Sequence, residues 1–306
     1  RFVFMAIIVY RIGTHIPIPG IDPDRLAQLF EQNQGTILEM FNMFSGGALE
    51  RMSVFALNVV PYISAAIIMQ LFSNSIPFLI ELKKDGQAGR NKITQYTRYG
   101  TVLLAFIQAS ALAVTLSASG LAFTPGTSFF VSAVFSVVAG TVFLMWLGEQ
   151  VSERGIGNGI SIIIATSILT GIPGAIGQAL EQSRQGDLNI LLLIGIGLLA
   201  MVVIAIVVFI ERGQRRITVN YAQRQQGRRM MQAQTSHLPF KVNMAGVIPA
   251  IFASTFLLFP ASLSTWFGQS ESLGFLQSIS LALNPGQPLY ILVFATLIIS
   301  FCFIWL

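Results

Sequence analysis

Residues 191–210, LLLIGIGLLAMVVIAIVVFI, hold no side chain that carries charge. A helical run of about 20 such residues matches the hydrocarbon thickness of a bilayer. Directly behind it stands 211–229, ERGQRRITVNYAQRQQGRR, with six arginines: Arg212, Arg215, Arg216, Arg224, Arg228 and Arg229. Charge of that density stays in water, and arginine-rich loops beside spans stay cytoplasmic. The two stretches together fix one span and its direction. Composition extends this to the whole chain. Over 306 residues, 54% are apolar and 10% charged, with mean hydropathy +0.71, where a soluble domain carries about a quarter charged residues.

Apolar runs place eight spans in an all-α polytopic membrane protein. The first ends near Ile12, and IPIPG at 16–20 then breaks any helix. The others cover about 52–72, 99–116, 129–147, 160–176, 190–210, 244–267 and from 289 onward. Between them lie a basic loop with Lys83, Lys84, Arg90, Lys92 and Arg98, a tight loop at 148–159 and a polar hairpin at 178–189. The chain starts at Arg1 without Met and stops in an apolar run at Leu306, so both ends read as cuts in a longer protein. No signal peptide is in view. The single Cys302 excludes disulfides and cysteine-based metal sites.

With the arginine loop inside, alternation puts thirteen positive residues on the inner side. They are Lys83, Lys84, Arg90, Lys92, Arg98, Arg154, the six arginines and Lys241. Arg25, Arg51 and Arg184 fall outside, and Arg1 and Arg11 flank the first span. The positive-inside rule then makes the N-terminus cytoplasmic.

One apolar segment is too short to cross. Thr36 and Glu39 form a capping box that opens a helix through Ile37, Met40, Phe41, Met43 and Phe44, ending at Ser45, Gly46 and Gly47. Two readings stand: an interfacial helix, or a re-entrant segment enclosed by protein or water. Few polar side chains anchor it, and Gly46-Gly47 reads as a hinge.

The stretches VVPYISA (59–65) and VIPAIFA (247–253) share a pattern of two β-branched residues, Pro, x, Ile, x, Ala. They sit in spans of opposite direction, five spans apart, as an inverted repeat produces; chance likeness between apolar spans is the alternative. The repeat makes these proline-interrupted spans the axis between two halves. Val59, Ile63, Val247 and Ile251 then offer bulky aliphatics on shared helix faces, suited either to ordinary packing or to a dry constriction.

No catalytic constellation is visible: there is no HExxH, GxSxG or Walker pattern, so the chain is read as no enzyme, without cofactor or metal. His15 and His237 stand alone as surface residues, and Gly155, Gly157 and Gly159 open a span as a tight turn. The spans carry almost no ionisable side chain at mid-membrane. That counts against the rival reading, an inverted-repeat secondary transporter of small solutes, which needs a buried coupling site. An intramembrane protease lacks its Ser–His, paired Asp or zinc set.

Long stretches across the chain resemble the SecY family of bacterial protein-translocation channels. They are RIGTHIPIPGID (11–22), GTILEMFNMFSGGALERMSVFAL (35–57), PYISAAIIMQL (61–71), QYTRYGT (95–101), FLMWLGEQVSERGIGNGISIII (143–164), the arginine segment (211–229) and HLPFKVNMAGVIPAIFAS (237–254). The resemblance implies an inverted-repeat helical bundle of ten spans around an hourglass pore. Spans one to eight are expected here, as an N-terminal half (1–176) and a C-terminal half (177–306) lacking spans nine and ten. It favours the re-entrant reading for about 37–51, as a plug. It implies a pore ring of Val59, Ile63, Ile160, Ile164 and Ile251, with Val59 where Ile is common. A lateral gate would lie between spans 2–3 and 7–8. Cytosolic docking would use Lys83, Lys84, Arg90, Arg215, Arg216, Arg224, Arg228 and Arg229. The implied partners are SecE and SecG, the SecA motor or a translating ribosome, signal sequences, nascent polypeptides and membrane lipid. The implied location is the bacterial inner membrane, and the implied function is passage of unfolded polypeptides across it and of hydrophobic spans sideways into it.

Overall fold

The structure is a computed structural model. It describes residues 1–22, 25–26, 42, 45–124, 126–185, 189–220, 225–226, 229–230, 235–243, 246, 249–254, 256–257 and 287–305. It divides into two compact units, Arg1–Ala175 with Phe252–Leu297, and Ile176–Ile251 with Ile298–Leu306.

The first unit is built on α1 (Phe2–Gly13), α2 (Val60–Ser75), α3 (Pro77–Lys84), α4 (Gln87–Ala118), α5 (Thr127–Arg154) and most of α6 (Gly159–Gln185). Small residues on α4 let α5 and the preceding loop approach closely. Ala109 and Ala113 pack with Met52, Ala56, Phe129, Ala133, Val134 and Val137 in one buried cluster. The IPIPG stretch leaves the helix as the sequence requires and runs beside two other segments of the chain. Ile18 N–H donates to Met52 O at 2.9 Å and Phe123 N–H to Gly20 O at 3.0 Å. These bonds satisfy backbone groups that no helix serves.

The second unit holds α7 (Ile190–Arg212) and a β-hairpin, β1 (Gln214–Asn220) antiparallel to β4 (Thr235–Lys241), with the short strands β2 (Gln225–Gln226) and β3 (Arg229–Met230) paired beyond it. Asn189 caps α7 by accepting from Leu191 N–H at 3.2 Å. The helix α8 spans Pro288–Trp305.

Among the described residues α4, α5, α6 and α7 are each long and apolar enough to cross a membrane. The pair α2 and α3 qualifies together but is bent by 93° at its break, and α1 and α8 are apolar but shorter. The chain is a multi-pass helical membrane protein.

Several element ends differ from the sequence reading. Residues 52–59 are turns, with Ser53 bridged to Pro17, rather than the start of a span, and Met52 and Asn58 have positive φ of 42° and 49°. Pro61 therefore does not interrupt a span. It lies in the first turn of α2, where its missing N–H is one that no helical carbonyl would have met. The basic loop is helical: Lys83 and Lys84 end α3, while Arg90, Lys92 and Arg98 ride on the water-side extension of α4. The expected loops at 148–154 and 178–185 likewise continue α5 and α6. Apolarity marks the part of a helix in lipid, whereas Gln, Lys, Arg and Glu continue the same helix into water at little cost in propensity. Within the arginine segment Gln214–Asn220 is a strand paired with Thr235–Lys241, a local β pair in a mostly helical chain.

Candidate constriction and plug seat

Of the expected ring, Val59, Ile63 and Ile164 are buried in the first unit, and Ile160 is half-buried. Val59 is the N-cap of α2 and accepts Ile63 N–H at 3.0 Å, so the two follow each other on one face of the first turn. Ile160 and Ile164 are similarly one turn apart on α6. Ile160 leans toward α5, its Cγ1 2.9 Å from where a Cβ on Gly148 would stand. Ile251 is half-buried and belongs to the second unit.

Of the expected plug, Ile37, Met40, Phe41, Met43 and Phe44 lie outside the described residues. Ser45, Gly46 and Gly47 are described, and they are held by both α1 and α6. Tyr10, on α1, donates its hydroxyl proton to Ser45 O at 3.2 Å and also meets the hydroxyl of Ser167 on α6. Asn58 Nδ2 donates to the same Ser167 Oγ at 3.3 Å. Arg11 Nη1 donates to Gly46 O at 3.2 Å. Gly46 has φ +66°, and a Cβ there would stand 3.1 Å from Ser167 Cα and 3.3 Å from Thr170 Oγ1, so the backbone rests directly on α6. Ser45 Oγ closes the turn, donating to Asn42 O at 2.9 Å and accepting Leu49 N–H at 3.1 Å. Asn42 then bridges to Glu50 through both ends of its amide. The expectation of few polar anchors fails at this end of the segment. The backbone carbonyls of a glycine-rich turn are acceptors that composition does not display.

Aromatic rings continue the support. Tyr10 stacks on Phe55 with centroids 6.1 Å apart, Phe55 on Phe143 at 5.9 Å, and Phe143 meets Trp146 at 5.7 Å. Gly13 makes room for the Phe55 ring. His15 is exposed, as expected, and contacts Arg51 Nη1 at 2.9 Å through Nε2. Among the described residues no group of three or more His, Cys, Asp or Glu gathers as a metal site.

The docking candidates Lys83, Lys84, Arg90, Arg215 and Arg216 are exposed. Arg224 and Arg228 lie outside the described residues, and Arg229 is in β3. In the β1–β4 register Arg215 faces Phe240 and Arg216 faces Pro239. Alternation then puts Arg215 with Ile217, Val219, Leu238 and Phe240, and Arg216 with Thr218, His237 and Lys241 on the other face. The two neighbouring arginines thus belong to different surfaces.

Sequence reasoning missed Tyr10, Asn58 and Ser167. Each is a single polar residue beside or within an apolar run, and Ser167 also bonds back to Ile163 O, as many helical serines do. Nothing local separates a serine that only back-bonds from one that also meets two distant side chains.

A family model described as SecY matches residues 53–306. The protein translocase subunit SecY of Pseudomonas aeruginosa is 65% identical over 305 residues, covering 100% of this chain and 69% of that protein. A solved structure in which the plug domain of SecY stabilises the closed state of the translocation channel and maintains a membrane seal superposes with TM-score 0.60, at 21% identity, over 88% of this chain and 57% of that one. Sec61 in the canine ribosome–channel complex superposes with TM-score 0.59, at 19% identity, over 86% and 58%. The two structures share the fold, the Pseudomonas protein shares the sequence from end to end, and by that shared sequence the chain belongs to the SecY family.

Proposed function

We propose that the chain is a passive protein-conducting channel of the bacterial inner membrane, with its N-terminus in the cytoplasm. It passes unfolded secretory polypeptides across the membrane and releases hydrophobic spans sideways into lipid. The observation that carries this reading is the 65% identity, along the whole chain, to a protein translocase subunit. The chain makes and breaks no bonds. The work comes from a bound SecA motor or ribosome on the cytosolic side, with SecE and SecG as membrane partners. Relatedness to a ribosome-bound channel fold and the exposed Lys83, Lys84, Arg90, Arg215 and Arg216 support that docking side, to which we also assign Arg224, Arg228 and Arg229. Exposed guanidinium groups suit carboxylate and phosphate partners.

Val59, Ile63, Ile160, Ile164 and Ile251 form the pore ring in this reading, and 37–51 is the plug, in a chain of two halves, 1–176 and 177–306. A protein channel must pass every type of side chain yet hold back ions. Fixed charges in a ring would bind some segments and repel others, whereas bulky aliphatics bind nothing strongly and dewet a narrow gap. The test is reconstitution of the full-length complex with its motor in vesicles and planar bilayers. The parent is expected to carry a signal-bearing polypeptide and to be ion-tight at rest. Ile63→Ser/Ile164→Ser is expected to raise resting conductance. A complex that carries no polypeptide refutes the channel. A doubly substituted complex as tight as the parent, with 37–51 also deleted, refutes the ring.

A further inference from the structure

The seat of the glycine turn contains more hydroxyls than packing needs, and counting their protons shows what they do. Tyr10 and Ser167 have one hydroxyl proton each. Asn58 Nδ2 donates to Ser167 Oγ, the Ser167 and Tyr10 hydroxyls are in contact, and Tyr10 donates to Ser45 O. One assignment satisfies all three contacts at once. Asn58 donates to Ser167, Ser167 to Tyr10, and Tyr10 to the carbonyl of Ser45. In the other, Ser167 donates to Ile163 O and Tyr10 turns to Ser167, which releases the Ser45 carbonyl. The same two hydroxyls therefore have a holding and a releasing arrangement, and both leave them bonded. All four residues are nearly fully buried, at 2% exposure or less. Aligned donors there polarise one another, and an orphaned carbonyl is costly.

We propose that Tyr10, Asn58 and Ser167 are specificity-determining residues: a relay of three donors ending on Ser45 O that sets how strong a signal segment must be to open the channel. The proposal rests on the channel reading and deepens it. The relay grips the backbone at Ser45, within the 37–51 segment and next to Gly46 with its bond from Arg11. A segment that leaves its seat must break this grip. A strong signal supplies enough binding energy to do so and a defective one does not. The hydroxyls thereby discriminate between substrates without touching them.

The test uses the full-length chain assembled with its membrane partners and motor in vesicles. Transport is compared for a polypeptide with an intact signal and for the same polypeptide with a charged residue placed in the signal's apolar core. Tyr10→Phe keeps the ring on Phe55 and removes only the hydroxyl. Ser167→Ala keeps the Cβ beside Gly46 and serves as a second variant should the first fail to assemble. Each is expected to raise transport of the defective substrate about five- to tenfold, the equilibrium worth of one such hydrogen bond, and to leave the intact substrate near the parent rate. The double variant is expected to match a single one, because one chain of donors is cut in either case. Ser110→Ala, an exposed hydroxyl bonded back to Phe106 O, is expected to change nothing. Unchanged discrimination in both latch variants overturns the proposal while leaving the channel standing. So does an equal fall for both substrates, which marks a merely structural role. A parent that passes neither substrate refutes the channel and the latch with it.

Discussion

Gly140 and Gly174 are both glycines inside apolar helices, yet they have opposite consequences. A Cβ on Gly140 would stand 2.1 Å from Val54 O and 2.9 Å from Val54 C, whereas one on Gly174 would meet nothing within 4 Å. Backbone cannot rotate away as a side chain can, so α5 or the 52–59 turn must shift. Gly140→Ala is expected to destabilise the purified complex by about 1–3 kcal/mol, the usual cost of overpacking. Gly174→Ala is expected to be neutral or to gain up to about 1 kcal/mol from helix propensity. Thermal unfolding of the two variants side by side checks this, and equal midpoints would show that the 52–59 turn does not rest on α5. Sequence alone gives these two glycines the same meaning. The difference lies in what a distant part of the chain brings against each, and the same is true of Tyr10 and Ser167, 157 positions apart.

Helices are where the sequence speaks most clearly, and proline marks where it misleads. A proline within an apolar run reads as an interruption, but in α2 the turn-forming 52–59 stretch comes first and Pro61 only opens the helix. Removing it should therefore do little. Pro61→Ala is expected to cost less than about 1 kcal/mol. Ile67→Pro, six residues further on, removes a bond in the helix interior and is expected to cost about 3 kcal/mol or more. If Pro61→Ala were the more damaging in a thermal assay of the assembled channel, the proline would be shaping a kink after all. The positions of α1, α4, α5, α6 and α7 were legible because lipid demands apolar side chains over a fixed length. Their ends were not, because Gln87–Arg98 is a good helix that happens to lie in water. The β1–β4 hairpin was hidden behind its arginines, although Arg215, Ile217 and Val219 already alternate with Arg216 and Thr218 as a strand does. In the proposed site, Val59, Ile63 and Ile164 were reachable from helical spacing and family likeness, and their burial agrees with a packed position. The polar seat beneath Ser45 was not reachable, since it joins three elements that only the fold brings together.

At the scale of the whole molecule the strongest physical statement is about direction. With the arginine segment taken as inside, the alternating spans are expected to put thirteen positive residues on one side and three on the other, an asymmetry that acts during insertion, before any tertiary contact exists. The expectation does not depend on the basic stretches being loops, because the rule counts charge near span ends and is indifferent to backbone form. The expected orientation puts Lys83 and Arg215 inside and Arg184 outside. With the native thiol removed as Cys302→Ser, single cysteines at these positions report it. In intact cells stripped of their outer membrane, a membrane-impermeant maleimide is expected to label Arg184→Cys at once. It should reach Lys83→Cys and Arg215→Cys only after the inner membrane is opened. Each probe replaces one positive charge, and the remaining asymmetry is still large enough to hold the topology. Labelling of Arg215→Cys from outside in sealed cells would reverse every span at once. It would also move the proposed docking surface away from the cytosolic motor and ribosome, so the channel could no longer receive its substrate from the side where polypeptides are made.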